Sequence, residues 1–448
     1  MNRIKLILWG AGAAGCRIYW HINRLRFAEI ILFIDSDKNK IGKEIEGIRI
    51  ISFEEYLNSY KDAYILITPY AYMDIRDILE NNGIHKYFLP SDLPGEWLDE
   101  CERPEFEKYV ESIVMDVGNK VAIYGVNLFS LYVAYKYFCF KRKMPFLIRN
   151  ENASYELVNC LSDDFKIEVC DNIQDVSCET EIIITVDERE VSTLDENKNK
   201  RCHFLWDCAT QIDTYYNPQI TKLKNKYSKS RCFIIGLGPS LQPSDLDVLY
   251  NNKEICFSVN EIYKVFDKTK WRPNYYVVSD TNGIIKSRDI IDVMKGFEGV
   301  FISDQLGKEY NDFFSDKLKN KHYRYHISRS IHIEDRPKFS ASFDKVAYFG
   351  TTVIYIVMQL AVYMGFEKIY CLGLDSTGFL SNVTQSKGYP HFYGGNDAGF
   401  LMIPAMKQAY FAAKEYTEDH RIIIYNATRG GELEIFDRVS FDDLWDEE

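Results

Sequence analysis

The stretch RCFIIGLGPSLQPSDLDVL, residues 231–249, decides how the chain is read. Apolar Cys232 to Ile235 run into Gly236-Leu237-Gly238, as a buried strand does when it enters a phosphate-cradling turn. The third glycine of a dinucleotide loop is missing; Pro239 and Ser240 follow, and a helix can start only after Pro243. A fuller fingerprint lies at the N-terminus, in KLILWGAGAAGCRIYWHI from Lys5, where Gly10, Gly12 and Gly15 complete G-x-G-x-x-G. The strand EIILFIDSD then puts Asp35 twenty residues beyond Gly15, where a ribose-binding carboxylate belongs.

A third copy of the same event, KVAIYGVNLFSLYVAYKY from Lys120, superposes on the first around Gly125. Asn127 and Ser130 occupy the other glycine positions there, so the backbone has no room to approach a pyrophosphate. Strand, glycine and helix repeated three times predict an α/β chain of several domains with Rossmann-like parallel sheets. At roughly 150 residues per domain, 448 residues suggest about three. The expected boundaries are 1–100 for a nucleotide-binding-type domain, 101–225 for a degenerate α/β domain and linker, and 226–448 for the catalytic domain. The linker is read in the polar, basic YYNPQITKLKNKYSKSR.

Composition excludes several classes. A net charge of −12 argues against a nucleic-acid partner, which needs a clustered positive face. The 11 cysteines form no C-x-x-C pair and match neither a zinc site nor a disulfide framework, which suits a reducing cytoplasm. No cleavable signal is read in MNRIKLILWGAG. Residues 346–366 carry no charge, but Gly350, Thr351, Thr352 and Gln359 favour a buried core helix over a membrane span. His322, His326 and His332 lie close together, at spacings of four and six that put at least two on one face of a strand-like segment, but no metal is expected there.

From Arg231 onward, polar residues recur at strand ends: Ser258, Asn260 and Tyr263 ending ICFSVNEIY, Ser279 and Asp280 after NYYVV, Gly373 and Asp375 in KIYCLGLD. Thr351 opens the apolar helix, and the stretch STGFLSNVTQSKGYPHFYGGND follows Asp375. Open α/β sheets form their ligand crevice at such strand C-termini.

These residues carry a resemblance. GLGPSL, SVNEIY, TTVIYIVMQLAVYMGFEKIYCLGLD and PHFYGGND resemble the bacterial lipooligosaccharide sialyltransferases that use CMP-sialic acid. The ending IIIYNATRGGELEIFDRVSFDDL is closer to a sister group, the Maf-type flagellin glycosyltransferases and the MptE-like hydroxymethylpterin pyrophosphokinases. The stretch IGKEIEGIRIISFEEYL resembles the N-terminal domains of sugar-modifying acetyltransferases and nucleotide-sugar epimerase-like proteins, which bind a nucleotide or serve as scaffold.

The resemblance implies a glycosyltransferase-like α/β sheet over residues 226–448 and transfer of an activated sugar from a CMP-linked nonulosonic acid to a glycan or protein acceptor. Gly236, Gly238, Pro239, Ser240, Asn260, Ser279, Asp280, Thr351, Gly373 and Asp375 would hold the donor, although Leu237 replaces the family's loop asparagine. His391, followed by Phe392, matches the general base. An oxocarbenium-like transition state needs a base for the acceptor hydroxyl and donors for the leaving phosphate. The amides of Gly238 and Ser240 and the hydroxyls of Tyr389 and Tyr393 are the candidates for donors. No metal and no cofactor are required, though Gly10, Gly12, Gly15 and Asp35 could hold a nucleotide in the first domain. Glycan assembly of this kind is compatible with peripheral membrane association.

Three alternatives stay open. A pterin pyrophosphokinase would use ATP and Mg²⁺ with Asp280 and Asp375 as ligands. An NAD-dependent oxidoreductase would use the N-terminal fingerprint. A scaffold without catalysis would explain Leu237. Strand-end aspartates also cap the helix or turn that follows, which is the structural reading of Asp280 and Asp375.

Overall fold

The computed structural model describes residues 3–60, 62–69, 72–94, 97, 104–150, 153–165, 167–187, 189, 191, 201–206, 211–329, 336–377, 389–394, 396–397 and 403–445. The chain forms two compact units, Met1–Ile212 and Asp213–Glu448.

The first unit holds two largely parallel sheets. One has six strands in the spatial order 44–45, 48–51, 28–34, 4–9, 64–67, 87–88, and the other has five, in the order 202–204, 181–184, 121–124, 146–148, 169–170. In their central strands, LILW at residues 6–9 and VAIY at 121–124 are buried throughout, which is why they read as continuous apolar runs instead of alternating ones.

The two glycine turns are built alike. Gly10 and Gly125 both take φ of +119°, and a Cβ on either would strike a threonine hydroxyl, Thr68 at 2.5 Å or Thr185 at 2.8 Å. Each threonine donates to the carbonyl of the residue before its glycine, Trp9 at 3.0 Å or Tyr124 at 2.9 Å. The copies diverge one turn later. Gly12 caps the helix Ala13–Leu25 with no side chain, whereas Asn127 accepts from the Ser130 amide at 2.7 Å and caps Leu128–Lys141. A capping side chain thus fills the place a ligand phosphate would need.

In the second unit an eight-stranded sheet, wholly parallel, has the central strand Arg231–Ile235 with Cys256–Val259 on one side and Lys368–Leu372 on the other. Outward from Cys256–Val259 come Tyr275–Val278, Gly299–Ser303 and His322–Tyr325; outward from Lys368–Leu372 come Ile423–Asn426 and Asp437–Arg438. Chain order reverses beside the central strand, and crevices open at such a reversal. The helix Pro243–Asn251 begins with its proline in the first position, where no amide is missed.

The segment read as a linker packs into this unit: Tyr227 stacks on Phe366 with ring centroids 4.7 Å apart, and Asn217 Nδ2 donates to Arg324 O at 2.7 Å. The apolar run contains the buried helix Val353–Tyr363. No helix among the described residues is long and apolar enough to cross a membrane. Gln359 explains how a polar residue survives inside that helix. Its carboxamide accepts from the amides of Ser340 and Tyr348 and donates to the carbonyls of Tyr348 and Tyr355, so every polar atom is satisfied.

Candidate functional site

A cleft of about 300 Å³ opens where the chain order reverses in the second unit. The end of the central strand contributes Gly236, Leu237 and Gly238; the next strand contributes Val259 and Asn260; Ser279 and Asp280 follow the third. The strand Lys368–Leu372 contributes Gly373 to Thr377. Phe349, the helix start Thr351 to Ile354, His391, and Met406 with Tyr410 complete the wall. Of the candidate residues, Gly236, Gly238, Asn260, Ser279, Asp280, Thr351, Gly373, Asp375 and His391 meet here.

The glycines are explained by the seam between two strands. Gly236 N donates to Leu372 O and Gly238 N to Gly373 O, both at 2.8 Å. A Cβ on Gly236 would lie 2.5 Å from Gly373 O; one on Gly238 would lie 2.7 Å from that oxygen and inside the Asp375 carboxylate. Ser240 turns back to the same carboxylate, donating from Oγ to Oδ2 at 2.8 Å and from its amide at 3.4 Å. This corrects one expectation: the Gly238 and Ser240 amides, read as phosphate donors, are spent inside the protein. Pro239 and Ser240 lie outside the lining. Burial pushes the Asp375 carboxyl above its ordinary value, against the pull of the Ser240 bonds.

Asp280 caps the helix Thr281–Ser287, its Oδ1 accepting from Gly283 N at 2.8 Å. The two aspartates read as magnesium ligands are therefore each engaged in holding backbone or side chain in place, although both border the cleft. Of the histidines, His326 Nδ1 lies 2.8 Å from Asp304 Oδ2 and its ring stacks on Tyr215 at 3.8 Å. His322 Nδ1 lies 2.9 Å from Ser315 Oγ, and His332 falls outside the described residues.

Three cleft residues take left-handed backbone conformations that are unusual for a residue with a side chain: Asn260 with φ +42°, Thr351 with φ +60° and Ser376 with φ +49°. Asparagine tolerates this region, but a β-branched residue there is strained by ~1–3 kcal/mol. The Asn260 side-chain oxygen is buried with no hydrogen-bond partner, an arrangement that a bound ligand donor would complete. Thr352 caps the helix Val353–Tyr363, and the positive end of that helix faces the cleft.

Glu261, next to Asn260, fastens the segment that carries His391. Tyr393 Oη donates to Glu261 Oε2 at 3.0 Å, Lys264 lies 2.9 Å from Oε1, and Lys286 lies 3.3 Å from Oε2. Lys264 also stands 3.8 Å over the Tyr393 ring, the His391 ring stacks on Tyr393 at 5.0 Å, and Phe392 N donates to Leu237 O at 2.9 Å. Burial opposes ionisation of Glu261, yet the donors from Lys264, Tyr393 and Lys286 hold its carboxyl down at about 2. Tyr393 thus serves the latch. Tyr389 lies in the short strand Tyr389–Pro390, whose side chains fall outside the described residues.

In the first unit Gly10, Gly12, Gly15 and Asp35 gather at one strand end, but Asp35 is occupied by its own chain. It accepts from Ala11 N at 2.8 Å, Asp37 N at 2.9 Å and Lys40 Nζ at 3.0 Å. Burial opposes its ionisation, and these donors together still hold the carboxyl below its usual value.

Sequence reading missed Phe349, Met406 and Tyr410, which reach the cleft from outside the strand ends, and it missed the role of Glu261. The spacing of Met406 and Tyr410, four apart on the helix Ile403–Asp419, was the available signal.

Residues 207–378 match the family model described as 6-hydroxymethylpterin diphosphokinase MptE-like, and residues 2–88 match the model described as C2185-like, N-terminal. The first match supports the MptE-like part of the resemblance and spans every cleft element except His391 and the helix that carries Met406 and Tyr410. No curated protein and no solved structure matches the chain.

Two outcomes follow from this geometry. Gly238→Ala lowers unfolding free energy by about 1–3 kcal/mol in denaturant titration, because the new methyl overpacks the seam; unchanged stability would mean the glycine serves only a ligand. A depressed carboxylate stabilises the fold above its unfolded pKa of about 4.3 and loses that effect as pH falls toward its folded value. The Glu261 latch therefore holds throughout the neutral range and weakens as pH falls from about 4 towards 2. Glu261→Gln should mimic that release at pH 7, seen as faster hydrogen exchange at the Phe392 amide, and an unchanged exchange rate would refute the latch.

Proposed function

We propose that the second unit is a transferase that binds a nucleotide in this cleft and moves a group from the nucleotide's phosphate to an acceptor hydroxyl, with His391 as general base. The observation that carries the reading is that His391 and the partnerless oxygen of Asn260 border the same cleft, beside the start of a buried helix. Asn260 would recognise the nucleotide, and the first turn Thr351–Ile354 would face its phosphate in place of the occupied glycine-loop amides.

The sequence resemblance specifies the transferred group as a nonulosonic sugar acid carried on CMP, in a glycosyltransferase-like domain acting on a glycan or protein acceptor. In that step the bond between anomeric carbon and phosphate oxygen breaks, its electron pair leaves with CMP, and the acceptor oxygen bonds to the carbon as His391 takes its proton. Imidazole titrates near neutrality, which suits it to this role. The first unit would supply a second nucleotide site or position the acceptor. The occupied Asp35 favours the positioning role and weighs against an NAD-dependent oxidoreductase.

A second reading has an observation in its favour. The family match over 207–378 points to diphosphate transfer from ATP and Mg²⁺, and it includes Asp280 and Asp375 while stopping short of His391. The capping and seam contacts of the two aspartates weigh against their serving as magnesium ligands. His391 distinguishes the readings, since only sugar transfer assigns it a proton.

Thermal-shift titration of the whole chain separates the two. CMP at a hundredfold excess over its Kd should stabilise the protein by about 2.7 kcal/mol, and Asn260→Ala should abolish this. With a CMP-linked nonulosonic acid as donor, His391→Ala should cut transfer by about 10²–10⁴-fold. Stabilisation by ATP with Mg²⁺ and none by CMP would replace the first reading with the second.

A further inference from the structure

Behind the cleft wall lies a buried charge that no carboxylate among the described residues pairs with. Arg329 is 7 % exposed, and its Nε is enclosed without a hydrogen-bond partner. Among the described residues its guanidinium makes no ion pair. Its one described side-chain contact is with the ring of Phe349, 4.7 Å from guanidinium carbon to ring centre. Phe349 is part of the cleft wall and is fixed to the same place in the chain, its amide donating to Ser328 O at 3.0 Å. An arginine stays charged at any physiological pH and carries five donors, so burying it with its Nε donor empty is costly unless an anion arrives.

The surrounding carboxylates do not answer it. Tyr325, buried under the strand ends with its hydroxyl donating to Val278 O at 3.1 Å, marks the neighbourhood. Burial first, then Asp304 and Asp280, push its phenol well above the ordinary value, and Arg329 pulls it back. All three charges therefore act at one phenol. Asp304 is nevertheless bound to His326 and to Ile327 N, and Asp280 is bound to the Gly283 amide. Both carboxylates thus act at the same phenol as Arg329, and among the described residues neither pairs with the guanidinium. On the cleft side, the strained Thr351 and the start of the helix Val353–Tyr363 directly follow Phe349, adding the positive end of a helix to the same corner.

We propose that Arg329 and the helix start behind Phe349 form an anion subsite, which takes a second anionic group of the donor, a carboxylate or a phosphate, beyond the phosphate at the bond that breaks. The proposal rests on the transferase reading of this cleft and narrows its substrate class: donors with one anionic group only, and no acid function on the transferred part, leave the subsite empty. A sugar acid supplies the group as a carboxylate; a nucleoside polyphosphate supplies it as a further phosphate. Arginine matches either geometry bidentately, which lysine does not.

The test uses the whole chain, the variants Arg329→Met and Arg329→Lys, and three probes: CMP, free N-acetylneuraminic acid and inorganic pyrophosphate, each titrated by calorimetry and thermal shift. The unliganded Arg329→Met protein should melt at or above the wild-type temperature, because an uncompensated buried charge has been removed; this also shows that the variant folds. Its affinity for one of the two anionic probes should fall on the order of tenfold or more, Arg329→Lys should restore only part of it, and CMP binding should not change. Loss confined to the sugar acid identifies the carboxylate, and loss confined to pyrophosphate identifies the phosphate. Anion binding equal in Arg329→Met and wild type, or absent from the wild type, overturns the subsite. Arg329-dependent anion binding without any CMP response would instead preserve the subsite and remove the CMP-donor reading.

Discussion

The second unit depends on the seam where the loop after Arg231–Ile235 meets the loop after Lys368–Leu372. Two parallel strands lie side by side there while their chains leave for different parts of the sheet. Backbone bonds from Gly236 to Leu372 and from Gly238 to Gly373 close the gap, and Ser240 locks onto Asp375. This contact has no room for a Cβ on either glycine. Everything that borders the cleft is positioned relative to it: Asn260 on the neighbouring strand, the helix start at Thr351, and His391, whose neighbour Phe392 hangs from Leu237 O.

A division of labour follows. Groups expected to touch ligand at the glycine loop are consumed in building the floor, and the groups left unsatisfied stand around it. The Asn260 oxygen lacks a partner, Thr351 is held in a strained conformation, and Arg329 keeps a buried charge. Strain and unmet polarity thus gather at the cleft and just behind its wall.

Much of this was legible in the sequence. Parallel strands buried on both faces announce themselves as unbroken apolar runs, and the polar residues that end them at Asn260, Ser279, Asp280 and Asp375 can be read off directly. The uncharged run around Val353 could be assigned to the core because Gln359 and the threonines are poorly suited to lipid. What the sequence concealed depends on contacts across long separations. That Gly238 must be glycine because of Asp375, 137 residues later, has no local signature, and the same pattern fits a phosphate cradle equally well. In the first unit Asp35 sits where a ribose ligand belongs, yet Lys40 and two amides already use its oxygens. Arg329 and Glu261 look like ordinary charged residues until burial and partners are known.

The measurement that addresses the central claim most directly is hydrogen exchange of the whole chain with and without nucleotide. Binding in the cleft of the second unit predicts slowed exchange at 259–263, 351–355 and 391–394, with the first unit unchanged. Protection falling on 10–16 and 35–40 instead would contradict the account and move nucleotide binding to the N-terminal glycine turn.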